Sequence, residues 1–186
     1  MSAITTPSAG GTEPGATIDI TKDAVVTALR AFILFALPTG VQVVEGQQNN
    51  VPLPNGRVVV MTPLMQTAMN VPTTHYSANT VGKRSSVDWR VQLDVYGDNA
   101  EDAATMLATL LRSSVAFDWL ADNGYAIRPL YASDPQNMAF INDAMNYESR
   151  WMLEAHLNAS PTISVPQQFA EHLSVGVVAA DVRYLP

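Results

Sequence analysis

Cysteine is absent from this 186-residue chain, which removes disulfides, thiolate nucleophiles and thiolate metal ligands together. Charge is also scarce: 15% of residues are Asp, Glu, Lys or Arg, against about a quarter in ordinary globular domains. A surface so short of charge suits partial cover by other subunits. Basic residues are the scarcer kind, ten against seventeen acids, for a net charge of −7. Lys83-Arg84 is the only basic doublet, and no basic stripe of the kind that grips phosphate is present. Long apolar runs are missing too. The most apolar segment, "AVVTALRAFILFALP", is broken by Arg30 and falls short of the roughly 18 residues a spanning helix needs. The opening "MSAITTPSAGGTEPGATI" has neither the basic nor the apolar region of a secretory signal. The expectation is a soluble protein with no membrane contact.

Catalytic signatures are equally sparse. The three histidines, His75, His156 and His172, show no metal-ligand spacing and read as surface or interface side chains. No G-x-S-x-G elbow, P-loop or dinucleotide fingerprint occurs. The densest acidic stretch is "DVYGDNAED", with Asp94, Asp98, Glu101 and Asp102. Its spacing fails the calcium-loop pattern, and the bland reading is stronger: Asp98 caps a helix with Glu101 closing a capping box, and Asp102 lies near the positive end of the dipole. No catalytic residue, cofactor site or metal site is assigned.

What is there is a pattern of elements. The length suits one domain with a real core and is too short for two. Residues 1–18 read as a flexible arm rich in Ser, Thr, Gly and Pro, and 19–186 as a single α+β domain with a C-terminal strand and tail. Thr21 offers an N-cap to the helix "KDAVVTALRAFILFALPTG", which Pro38 and Gly40 stop. Its apolar face is wide enough to predict burial on two sides. "VQVVEG" and "GRVVVMTPLMQTA" read as strands joined by the exposed loop Gln47–Asn55, with a bend or sheet edge at Pro63. "VPTTHYSANTVGKRSS" reads as a protruding hairpin. In "VDWRVQLDVY", Val87, Trp89, Val91, Leu93 and Val95 alternate with polar partners, the mark of a half-buried antiparallel strand. A helix follows from Asn99, then a short one ending at Gly124, then a strand within Tyr125–Ser133.

"DPQNMAFINDAMN" reads as a long connection. "YESRWMLEAHLN" alternates again, with Tyr147, Trp151, Leu153, Ala155 and Leu157 inward and Glu148, Arg150, Glu154 and His156 outward. A polar linker holding Pro161 and Pro166 then leads to a last strand, "SVGVVAADVRYLP". Strands in runs with helices inserted indicate α+β: a mixed, mostly antiparallel sheet with two or three helices on one face. Asp88, Arg90, Glu148 and Arg150 would be charges on the exposed faces of two neighbouring strands, as cross-strand pairs or as part of a subunit contact.

The succession "VDWRVQLDVYGDNAEDAATMLATLLRS", "YAIRPLYASDPQ" and "NYESRWMLEAHLN" resembles the tailed-bacteriophage tail-terminator and neck proteins, related in fold to the lambda-type tail terminator. The likeness covers roughly residues 22 to 158. It implies a virion structural protein of the neck, assembled in the host cytoplasm and not an enzyme. The implied assembly is a homo-oligomeric ring, typically a hexamer, that caps the tail tube and joins the tail to the head connector. Implied partners are the tail tube, the sheath where there is one, and the connector or adaptor, with genomic DNA passing through the lumen ungripped. Ring closure needs two different patches on each subunit. The candidates are the hairpin Thr74–Ser86 and the loop Gln47–Asn55, with Lys83, Arg84, Gln47, Asn49, Arg90 and Arg150 as interface residues. The alternatives are a head-completion adaptor or tube-like subunit of the same fold, or a small enzyme or ligand-binding domain with a dispersed site.

Overall fold

In the computed structural model, residues 15–47, 54–141 and 147–167 are described. The elements run β1 (Thr17–Ile18), α1 (Lys22–Ala36), β2 (Gln42–Glu45), β3 (Val58–Ala68), β4 (Thr73–Tyr76), β5 (Thr80–Arg84), β6 (Val87–Tyr96), α2 (Ala100–Leu111), α3 (Ser114–Asp122) and β7 (Ile127–Ala132). They continue with β8 (Gln136–Asn137), β9 (Phe140–Ile141), β10 (Tyr147–Glu148), β11 (Arg150–Ala159) and β12 (Thr162–Pro166). The main sheet has the order β2-β3-β6-β11-β7, with β8 also on β11. Only β2–β3 is parallel in it; the other pairs are antiparallel. The fold is therefore α+β with a mixed, mostly antiparallel sheet.

Period two explains the layering. Val91, Leu93 and Val95 of β6 and Leu153, Ala155 and Leu157 of β11 point to one face and are at most 2% exposed. The three helices lie on that face, α1 over β2 and β3, α2 over β6 and β11, and α3 beside β7. Their apolar stripes, Val25, Leu29, Phe32 and Ile33 of α1 and Ala104, Leu107 and Leu111 of α2, complete the core. Thr21 caps α1 through its Oγ1, which accepts from Ala24 N at 3.3 Å. The end of α3 is a Schellman turn, with Gly124 N donating to Ala121 O and Tyr125 N to Leu120 O, both at 3.0 Å. Gly124 supplies the positive φ of 73° this turn needs.

Several expectations need correction. Asp98 does not cap α2. The N-cap is Asn99, left-handed at φ 58°, with no side-chain cap bond, because positive φ at both Gly97 and Asn99 reverses the chain before the helix begins. The apolar face of α1 is not buried on two sides: Leu34 and Phe35 are 44% and 52% exposed. Tyr147 is 80% exposed, since the strand breaks at Ser149 and Tyr147 belongs to the small β9–β10 pair. The long connection before it holds β8 and β9. Thr17 and Ile18, read as arm, pair with β12. The linker holding Pro161 and Pro166 is largely β12 itself. The bend or edge expected at Pro63, by contrast, is present: the pairing with β2 has already ended at Met61, and a register shift falls between Pro63 and Met65. The last expected strand, "SVGVVAADVRYLP", lies outside the described residues.

β12 belongs to a second, four-stranded sheet of order β1-β12-β5-β4. It is an outward extension of the main one. The β6–β11 pairing ends at Val87↔Ala159 and β5–β12 resumes at Arg84↔Thr162 in the same register. Ser85, Ser86, Ser160 and Pro161 form the joint between them. Asn70 Oδ1 ties the joint by accepting from Ser86 N at 2.7 Å, and Asp19 Oδ1 accepts from Thr162 N at 2.7 Å.

Candidate functional site

Among the described residues, no second layer covers the face of the main sheet opposite the helices. Polar side chains from β6 and β11 fill it: Asp88, Arg90, Gln92 and Asp94 on one strand, Arg150, Glu154 and His156 on its neighbour. The antiparallel register decides which charges meet. Arg150 Nε and Nη2 both lie 2.9 Å from Asp94 Oδ1, and Gln92 Nε2 donates to Asp94 Oδ2 at 2.7 Å. Asp94 is only 4% exposed, an unusual state for a carboxylate that the Arg150 and Gln92 bonds make tolerable. One row on, Arg90 Nε is 3.8 Å from Glu154 Oε2. Next to it, His156 Nδ1 is 2.9 Å from Asp88 Oδ2.

The pairing differs from the simplest expectation of Asp88 and Glu148 serving Arg90 and Arg150. Glu148 sits in β10, outside this sheet. Asp94, weighed as part of an acidic cluster, is the actual partner of Arg150. Writing "VDWRVQLDVY" and "RWMLEAHLNA" antiparallel would have brought these two close, but the register comes only from tertiary pairing.

Tyr96 ends this row, with the Arg150 guanidinium 5.9 Å from its ring centroid. Burial, and then the Asp94 charge, push its phenol pKa above the ordinary value of 10.0. A raised phenol pKa means that the folded state holds the proton after the unfolded chain has released it, so stability falls as pH rises past about 10. Tyr96→Phe is expected to flatten that alkaline loss, read by urea denaturation at pH 9 and pH 11. An unchanged slope would assign the loss to other groups.

The network is not fully satisfied. Asp88 Oδ1 and Arg90 Nε are buried without a hydrogen-bond partner among the described residues. Such atoms are costly unless water or another chain serves them. Of the other expected interface residues, Lys83 and Arg84 are exposed on β5 of the outer sheet, where Lys83 Nζ donates to Thr74 Oγ1 at 2.7 Å. Gln47 is exposed just after β2 at φ 60°. Asn49 lies outside the described residues. The structure thus brings Arg90 and Arg150 onto one face and sets Lys83 and Arg84 on the other sheet.

A third surface lies apart from the expected interface residues that are described. On the outside of the helices, Phe35 stacks on Trp119 with centroids 5.0 Å apart, and Trp119 stacks on Tyr125 at 5.9 Å. The wide apolar face of α1 is the sequence signal for this surface, although the expectation it supports is burial within the chain.

A cleft of about 220 Å³ opens between Pro38, Val41, Arg57 and the start of α2, below the roughly 300 Å³ at which small-molecule sites begin. Wider hollows of about 650 and 660 Å³ are bounded by the 54–57 loop with Gly97, and by the joint between the sheets. Among the described residues no three His, Asp or Glu side chains converge as a metal site, and no helix is long and apolar enough to cross a membrane.

No curated protein matches the chain. A family model described as phage neck terminator protein matches residues 23–181.

Proposed function

The chain belongs to the phage neck terminator proteins, and from that premise we propose that it is a ring-forming subunit that caps the tail tube and joins the tail to the head connector. In this reading it acts by assembly, as a structural component of the virion neck, and residues 19–186 work as one unit. The observation that carries it is the amount of interaction-ready surface left uncovered among the described residues: a charged sheet face with unserved buried atoms, an outer sheet on which none of the three helices packs, and an aromatic row beside the helices. A ring needs two unlike patches per subunit, and these surfaces point in different directions.

The net charge of −7 suits a lumen through which DNA slides, because phosphate-gripping residues would retard it. Its neighbours in this proposal are further copies of the chain, the tail tube, the sheath where one exists and the connector. Contacts between subunits involve Lys83 and Arg84 of the β4–β5 hairpin, the Gln47 and Asn49 loop, and the Arg90 and Arg150 face.

Mass photometry of the purified protein, alone and with tail tubes, should show a ring of about six copies. A strict monomer under both conditions would sink the ring. Reversing Lys83 and Arg84 to Glu together is expected to shift the population to single chains, since like charges would then face an acidic neighbour. An unchanged ring mass in that variant would remove the hairpin from the interface.

A further inference from the structure

The strand edges of the two sheets are not treated alike. On β7, Arg112 Nε donates to Ala132 O at 2.7 Å and Arg128 Nη1 to Ile127 O at 2.6 Å, while Pro129 has no N–H to offer. On β2, Arg30 Nε donates to Val43 O at 3.1 Å. Charged side chains and proline placed like this blunt an edge against another strand. The remaining long edge runs along β3 beyond Met61, where the pairing with β2 ends. It continues along β4, the outermost strand of the outer sheet. Residues 58–82 contain no Asp, Glu, Lys or Arg, so this edge carries no charge of its own. The adjacent Lys83 is held on a face of the sheet by Thr74 Oγ1, at 2.7 Å. Met65, Met69 and Val71 are 48%, 54% and 85% exposed along it.

Register fixes which backbone groups this edge presents. Met69 N donates to Ser86 O at 2.9 Å, and bonded residues of an antiparallel ladder alternate with residues whose backbone points the other way. Gln66 and Ala68 therefore turn their N–H and C=O away from β6. Ser77 N donates to Thr80 O at 2.9 Å, which by the same alternation turns Thr74 and Tyr76 away from β5. Among the described residues, no hydrogen bond reaches these outward groups. Gln66 and Ala68 stand beside Trp89 and Val87, and Thr74 and Tyr76 beside Lys83 and Val81. The four outward residues are thus spaced evenly about the level of Ser85.

We propose that a second copy of this chain adds its own β3–β4 edge here, antiparallel, about a two-fold axis at the level of Ser85. The axis sets Gln66 opposite Tyr76 of the second copy and Ala68 opposite its Thr74, so all four outward residues are bonded on both copies. Strand addition of this kind draws its affinity from main-chain hydrogen bonds. The arginines on β2 and β7 guard those edges in every copy, so the long edge a second copy has to offer is the same one. Charge favours the match as well. Two chains of net charge −7 repel over most of their surfaces, but an uncharged edge brings no like charges face to face with its own image. The exposed Met69 and Val71 lie at the level of the axis, where they meet their counterparts. A self-complementary contact of this type closes by itself at two copies, and the inference does not rest on ring formation.

The absence of cysteine makes the test clean, because introduced pairs are the only thiols. Ala68→Cys with Thr74→Cys in one chain is expected to oxidise to a product of twice the monomer mass. The two thiols of a single chain stand about 13 Å apart along the edge, too far to bond each other. Gln66→Cys with Thr74→Cys, which is offset from the proposed register, should cross-link far less. No covalent dimer from the first pair, or equal yields from both, overturns the proposal. In the unaltered full chain, amides of Gln66, Ala68, Thr74 and Tyr76 should exchange on the order of tenfold or more slower in concentrated than in dilute solution. Fast exchange at both concentrations overturns it, and so does slow exchange at both, which would mean that the chain covers its own edge. A ring without this protection removes the pairing and keeps the ring; covalent dimers without a ring do the reverse.

Discussion

Replacing Arg150 by alanine is expected to lower folding stability by about 3 kcal/mol, the low end of the cost of stranding a buried charge. The Asp94 side chain is only 6% exposed and that of Arg150 is 29% exposed. Without Arg150, the carboxylate keeps one hydrogen bond, from Gln92, and cannot turn to water. Asp94→Ala should cost less, about 1–2 kcal/mol, because the long arginine can swing its head into solvent. The asymmetry is the diagnostic part. Urea denaturation of both single variants and the double variant forms a cycle, in which the double variant should recover much of the Arg150→Ala loss. Equal single losses, or losses below about 0.5 kcal/mol, would show the pair behaving like an exposed one. The Lys22–Glu45 pair, with side chains 50% and 25% exposed, is the natural comparison.

Gly97→Ala is expected to cost at least about 2 kcal/mol, for two reasons that add. Gly97 has φ 97°, where a side chain is strained by roughly 1–2 kcal/mol. A Cβ there would also stand 2.7 Å from Gly56 O and 3.1 Å from Arg57 Cα, so the backbone of the 54–57 loop would have to move. Gly124→Ala separates the two causes. It has φ 73° but nothing within 4 Å of a Cβ, so only the strain applies, about 1 kcal/mol. Thermal unfolding of the two variants side by side should leave Gly97→Ala clearly the worse. If the losses match, the close approach of the 54–57 loop to the β6–α2 turn is not what Gly97 serves.

The stretch "DVYGDNAED" joins both predictions. Its acids do not converge on a metal, and they do not cap the helix either. Asp94 anchors Arg150 across to β11, Gly97 admits the neighbouring loop, and Asn99 starts α2 by its backbone. Composition and spacing could exclude a calcium loop here. They could not show the replacement, because a left-handed Asn99 and a close glycine–glycine approach are consequences of how the 54–57 loop packs.

The sequence by itself determined the elements with strong local periods: α1 with its Thr21 cap, the alternating β6 and β11, the short α3 closed by Gly124, and hence an α+β protein with helices on one face. These are readable because burial on one side imposes a period of 3.6 or 2 on neighbours in the chain. The family resemblance drew on the same local patterns and agrees with the family to which the chain belongs. The hairpin β4–β5 was legible in the sequence, but tertiary structure alone decided that it grows into a four-stranded sheet with β1 and β12, brief segments in Pro- and Ser-rich surroundings whose neighbours Asp19 and Thr162 meet across 143 residues. It also decided which charges meet, since Asp94 and Arg150 are 56 residues apart and only the β6–β11 register makes them partners. Pairings of that kind depend on loop closure between distant segments, and nothing in the residues beside them records the outcome.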